Sequence, residues 1–329
     1  MPAMQHLQFT VHNTFLSWQT SAFPLAVLAT LVLIAAWYLH ADWVLAVRGR
    51  RWRGSRTAAF LSGLVAVDLA FQSPVAGYTT TYFQAHVLQH LLLMVVAPPL
   101  LALGAPSTLL LQTASRKTKQ RWLGVLHSGP FSVISHPLAA WFLYFGTMVI
   151  FFTTALINVA MNHMALMDAI NVVFFLGGTL YWWPMIGIDP IVRWKMDYGA
   201  RMLNILLGSA VEAFLGVAIL ADAKPVASMY SLSSTHSGGA LLWVSTEFVS
   251  LTAFLPIFIQ WMHSEERAGA RADARLDREQ EEASLPGALK TARPVNQPLS
   301  AWEAAFMAKA GHLPGITITD APPIERPVP

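Results

Sequence analysis

The chain has 329 residues, of which 55% are hydrophobic and 12% charged, with a formal net charge of +3 and no cysteine. A soluble domain carries about 25% charged residues, so this composition excludes a globular protein with an ordinary polar surface. The lack of cysteine excludes a disulfide framework, a zinc ribbon and a thiolate copper centre.

Residues 1–22 hold no Lys or Arg and no cleavage pattern, so no secretory signal peptide is expected and the first apolar segment should be retained. A spanning helix needs about 20 mainly apolar residues to cross about 30 Å of hydrocarbon. Seven stretches meet that test: 23–46, 57–75, 82–103, 136–156, 164–185, 200–220 and 239–262. No strand-like alternation competes with them. The expected fold is therefore all-α, a polytopic seven-helix transmembrane bundle over residues 23–262 in contact with the lipid bilayer.

Loop charge predicts the orientation. The first loop carries Arg48, Arg50, Arg51, Arg53 and Arg56, the third Arg116, Lys117, Lys119 and Arg121, and the fifth Arg193 and Lys195. The even loops hold only Lys224. This alternation places the amino end, residues 1–22, outside and the carboxyl end in the cytoplasm, as expected of a multi-pass bacterial plasma-membrane protein. The loop arginines thus act as topology signals, and no nucleic-acid partner is expected. Residues 263–285 mix Ala, Arg and Glu and read as a charged cytoplasmic helix, whereas 286–329 are Pro-rich and expected to be disordered in the cytoplasm.

Ionisable groups inside apolar spans are functional candidates by default. They are Asp68 in the second span, His86 and His90 in the third, Asp168 in the fifth, Glu212 in the sixth and Glu247 in the seventh. Counting about 1.5 Å per residue from the outer span ends puts all of them within about 6–12 Å of that side. His163 lies just above this level. The reading is one polar pocket opening outward. Its sharpest element is His86, His90 and Met94 at i, i+4 and i+8, a spacing that aligns two imidazoles and a thioether on one helix face. Pro98 should kink the helix beside this stripe. His163, Met167 and Asn171 repeat the spacing more weakly. Walker, GxSxG and HExxH motifs are missing, so an enzyme or nucleotide-driven pump is not expected.

The segments AHVLQHLLLMVVAPPLLALGAP from Ala85, LYWWPMIGIDP from Leu180, AFLGVAIL from Ala213 and QWMHSEERAGARAD from Gln260 resemble the CtaG family of cytochrome c oxidase assembly factors, the tail being most similar to actinobacterial members. The resemblance implies a seven-helix membrane bundle, a non-enzymatic role and copper delivery to a cytochrome c oxidase subunit. It puts the family's third-span histidine pair on His86 and His90. Where members carry further histidines in the fifth and sixth spans, this chain has Met167, Asp168 or Asn171, and Glu212. The expected copper ligands are thus His86, His90, Met94, Asp68, His163, Asp168, Glu212 and Glu247. The carboxylates in that set would favour Cu(II) or Zn(II) over Cu(I). Two other readings stay open. A copper or proton-coupled transporter would need polar groups deeper than Met94, such as Thr108, Gln112 or Tyr144. A haem-binding redox protein would need His163 or His236 as a second axial ligand to partner His90.

Overall fold

A computed structural model describes residues 17–189 and 194–284, with side chains described through Glu281. Most of the expected amino-terminal segment, Arg193 and the Pro-rich tail lie outside the described residues. Within them the chain is helical throughout. The first half contains α1 (Ala22–Val47), α2 (Gly54–Gln72), α3 (Pro74–Tyr78), α4 (Phe83–Leu91), a π-helical turn (Leu92–Val96), α5 (Ala97–Leu103) and α6 (Pro106–Thr113). Short helices follow: α7 (Arg116–Leu126), α8 (Gly129–Ile134), α9 (Pro137–Trp141), a second π-helical turn (Phe142–Gly146), α10 (Thr147–Thr153) and α11 (Leu156–Met161). The long helices α12 (Met164–Ile186), α13 (Tyr198–Ala221) and α14 (Leu232–Ser284) complete the order. The described residues divide into two units after Ser264, and residues 265–284 of the second are helical.

Among the described residues six helical stretches are long and apolar enough to cross a membrane: Ala22–Val47, Gly54–Tyr78, Phe83–Thr113, Met164–Ile186, Tyr198–Ala221 and Leu232–Glu281. The expected fourth span, 136–156, is a shorter apolar helix, Pro137–Thr153, about 25 Å long. Its early end has a local cause. The backbone turns extended at Thr154, whose hydroxyl donates to the carbonyl of Ile150 at 2.7 Å and accepts from the amide of Leu156 at 3.2 Å. That hydroxyl closes one helix and starts the next. The seventh helix likewise begins earlier than hydropathy indicated, at Leu232 rather than 239.

Proline shapes the third helix without breaking it. Pro98 and Pro99 lack amide hydrogens and would clash with carbonyls one turn back in regular α-geometry. The wider π-turn at Leu92–Val96 precedes them, so the chain continues as α5. The expected kink is thus a change of helical pitch. Gly178 of α12 packs directly on this turn: a Cβ there would stand 2.8 Å from the Met94 carbonyl oxygen and 2.9 Å from its Cα. On the opposite side of the bundle, Gly216 of α13 and Gly239 of α14 bring two backbones together in the same way, with a Cβ on either glycine 3.0 Å from the other's carbonyl oxygen.

The non-glycine residue Ala105 adopts φ 49° between α5 and α6. Left-handed backbone costs roughly 1–2 kcal/mol for such a residue. Neighbouring contacts hold it: Tyr38 donates to the Gly104 carbonyl at 2.7 Å, and Trp52 donates to Tyr38 at 3.0 Å. Asp189 accepts from the Thr108 amide at 2.9 Å and from its hydroxyl.

Gly178→Val should destabilise the protein by about 1–3 kcal/mol, because the obstructing atoms are backbone and cannot rotate away. Gly124→Ala, where a Cβ meets nothing within 4 Å, should be neutral or slightly stabilising. Thermal unfolding of both variants in detergent measures the difference.

Candidate functional site

One turn of α4 separates His86 from His90, and both rings are buried, at 0% and 4% exposure. Their centroids lie 4.5 Å apart with an interplanar angle of 69°. Aromatic rings enclose the pair. Phe174 of α12 is 4.6 Å from His90, Phe151 of α10 is 5.7 Å from His86 and 5.5 Å from His90, and Phe152 is 5.4 Å from His90. The short α10 contributes here, since its last turn supplies two walls of the box.

Four polar atoms inside or beside this box are buried without a well-formed hydrogen bond among the described residues: His86 Nε2, His90 Nδ1, His90 Nε2 and Asn171 Oδ1, the Asn171 side chain being a weak hydrogen-bonding neighbour of His90. Leaving buried polar groups unpaired is costly, so their concentration in one place is informative. The tautomer of His86 follows from its neighbour. The Tyr230 hydroxyl lies 2.5 Å from the Thr79 carbonyl oxygen and 3.0 Å from His86 Nδ1. A carbonyl can only accept, so the single phenol proton points at Thr79. His86 Nδ1 must then carry the hydrogen and donate to the phenol oxygen. Burial pushes the Tyr230 hydroxyl's pKa up, which keeps that proton in place. His86 Nε2 is left with a free lone pair in an apolar box, the state of a metal-ligating imidazole whose other nitrogen is held by a hydrogen bond.

The remaining expected ligands distribute differently. A polar cavity of about 210 Å³ is lined by His86, Gln89, Met167, Asp168 and Asn171, with Thr79 at its edge. Asp168 and Met167 thus sit on the approach to His86. Met94 is 1% exposed and belongs to the main apolar core. Asp68 is half-buried on α2, outside that cavity, with Oδ1 lacking a partner among the described residues. His163 is exposed at the start of α12. Glu212 occupies another place, a tight pocket with Tyr144, Tyr181 and Thr246, where hydroxyls of Tyr144 and Thr246 bond its carboxyl group. Glu247 is exposed on the outer face of α14, about 22 Å from that helix's start. Among the described residues no three His, Asp or Glu side chains converge to hold one ion. The His236 ring, proposed as a haem partner, contacts the Asp222 carbonyl at 2.9 Å.

Sequence reasoning passed over Tyr230 and Asp189. Tyr230 lies 144 residues from His86, in the loop before α14, and carries no local signal. Asp189 is the penultimate residue of the run LYWWPMIGIDP and is 3% exposed. Burial raises its carboxyl pKa, opposed by the donations from Thr108.

Residues 36–264 match the family model described as cytochrome c oxidase caa3 assembly factor. The chain belongs to this family. Similar curated proteins include three from mycobacteria. An uncharacterized protein of Mycobacterium leprae is 28% identical over 247 residues, covering 70% of this chain and 37% of that protein. Uncharacterized proteins of Mycobacterium bovis and Mycobacterium tuberculosis are each 27% identical over 264 residues, covering 75% of this chain and 40% of theirs. The chain therefore spans about two fifths of the length of the curated relatives it matches. No solved structure matches it.

Solid-state NMR of protein labelled with ¹⁵N in its imidazoles should show His86 protonated at Nδ1 and bare at Nε2. Tyr230→Phe should mix the two tautomers. A protonated Nε2 in the unaltered protein would contradict the hydrogen-bond assignment.

Proposed function

We propose that this caa3 assembly factor carries copper as cargo between His86 and His90 and hands it to a subunit of a cytochrome c oxidase, without catalysing a reaction itself. The observation that carries the reading is the pair of buried imidazoles with unpartnered ring nitrogens, one of them fixed by Tyr230 as a lone-pair donor. Imidazole nitrogen suits copper, and the bulky aromatic walls leave room for few further ligands. Glu212 and Glu247 lie apart from the pair, so nitrogen leads the donor set, with thioethers and the single carboxylate Asp168 nearby. That set supports Cu(I) rather than the harder ions that a carboxylate-rich site would select. Asp168, Met164 and Met167 line the cavity leading to His86 and supply a charge to attract a cation and soft sulfurs to relay it.

Purified full-length protein should bind about one copper ion per chain, and His90→Ala should lose it while keeping its helical circular dichroism. A strain lacking the gene should lose cytochrome c oxidase activity and recover it with added copper. Undiminished copper binding by His90→Ala would overturn the reading.

The reading also includes seven spans, with Pro137–Thr153 as the short fourth, and an outward-facing cavity in the plasma membrane. Because the chain lacks cysteine, single cysteines report topology cleanly. An impermeant maleimide should label Asn162→Cys in intact cells and Gln120→Cys only after permeabilisation. The reverse pattern would turn the cavity toward the cytoplasm and remove delivery to the outer face.

A further inference from the structure

A larger cleft of about 820 Å³ lies between α1 and α12, floored by Leu64 and Val67 of α2. It runs along α1 from Phe23 to Trp37, about 21 Å. One leaflet of a bilayer contributes about 15 Å of hydrocarbon, so the cleft is long enough for a full acyl chain. Ile34, Trp37 and Val172 on its lining remain exposed, which leaves its side open to the surrounding membrane.

The polar atoms of the lining are unevenly placed. Thr30 and Thr179 direct their hydroxyls to their own helices, onto the carbonyls of Ala26 and Phe175 at 2.8 Å. At the opposite end from Phe23, three donors are buried without a partner among the described residues: Ser107 Oγ, Trp122 Nε1 and Trp183 Nε1. Ser107 is only 2% exposed. Asp189 stands beside it, with Oδ1 accepting from Thr108 and Oδ2, like Ser107 Oγ, buried without a partner among the described residues, so the Ser107 hydroxyl has a protein acceptor at hand.

This end is also the basic one. Trp122 comes from α7, whose sequence RKTKQRWLGVL is strongly amphipathic. Arg116, Lys117 and Arg121 are exposed, while Lys119 shares the half-buried face with Trp122. Arg48 lies at the same end, its guanidinium on the carbonyls of Gln112 and Thr113 at 3.1 and 3.3 Å.

We propose that the cleft holds one acyl chain of an anionic glycerophospholipid. Its ester and phosphate oxygens accept from Trp122 and Trp183, and its charge lies near Lys119 with the other cations of α7 flanking it. Buried N–H donors require an acceptor, the apolar length requires a hydrocarbon, and the flanking cations require negative charge. A phospholipid of the leaflet at the basic end combines all of these. The lipid wedges α1 against α12 and is independent of the histidine site.

Native mass spectrometry of the full-length protein in mild detergent, titrated with phosphatidylglycerol or with phosphatidylcholine of identical chains, tests this. Phosphatidylglycerol should bind one to one and about tenfold more tightly than phosphatidylcholine. Ala26→Trp, which fills the cleft, should weaken phosphatidylglycerol binding by tenfold or more. Trp183→Phe, which removes one N–H while keeping an aromatic ring, should weaken it by about tenfold, the scale of a lost hydrogen bond to a charged acceptor. Equal binding of the two lipids would overturn the proposal. So would phosphatidylglycerol binding by Trp183→Phe that matches the unaltered protein, whether or not Ala26→Trp folds.

Discussion

Hydrocarbon offers no hydrogen bonds, so each polar group carried into the membrane must find its partner within the protein. Most of this chain obeys that constraint by the shortest route. Thr30, Thr113, Thr153, Thr179 and Thr252 each return their hydroxyl to a carbonyl four residues back on their own helix. Gln72 and Gln89 reach across to backbone carbonyls of Pro24 and Ala70, tying helices together. Against that background the unpaired atoms stand out. Several lie between His86 and His90 and at the basic end of the cleft beside α12, where a ligand would complete the bonding, while Asp68 Oδ1, Trp141 Nε1, Trp182 Nε1 and Asn204 Oδ1 lie elsewhere.

The histidine box depends on backbone shape as much as on side chains. The π-turn before Pro98 absorbs the prolines, and Gly178 allows α12 to lie against it. That close approach brings Phe174 onto His90, while the early end of α10 puts Phe151 and Phe152 over the same rings. A larger residue at position 178 would therefore lift one wall of the box without touching a histidine. Family membership and geometry meet at this point: the segment that carries the resemblance, His-Val-Leu-Gln-His through Ala-Pro-Pro, holds both the ligand pair and the device that lets α12 pack on it.

Depth was readable from the chain and rotation was not. Counting residues from span ends placed Asp168, His90 and Glu212 at similar levels, and a shared level read as one pocket. Level is an axial coordinate. Helices that are apolar on every side give no phase to say which way a lone carboxylate faces, so neither Glu212 turning toward Tyr144 and Thr246 nor Glu247 facing outward could be seen. The start of α14 was also hidden, because Leu232 opens a stretch whose serines and threonine mask a helix from hydropathy. Histidines one turn apart were different, since their relative phase is set by the helix itself.

By itself the sequence determined the all-helical membrane class, the apolar segments and the pairing of His86 with His90, because these rest on local composition and on spacing within one helix. Only the tertiary structure decided which polar residues join that pair. It replaced distant carboxylates with Tyr230 and Asn171 as neighbours, and it assembled from α1, α2, α7 and α12 a cleft whose parts are unremarkable alone. The physical reason is the same in both cases. Helix azimuth and loop return are set by packing between segments more than a hundred residues apart, and an apolar helix in lipid carries little of that packing in its own pattern.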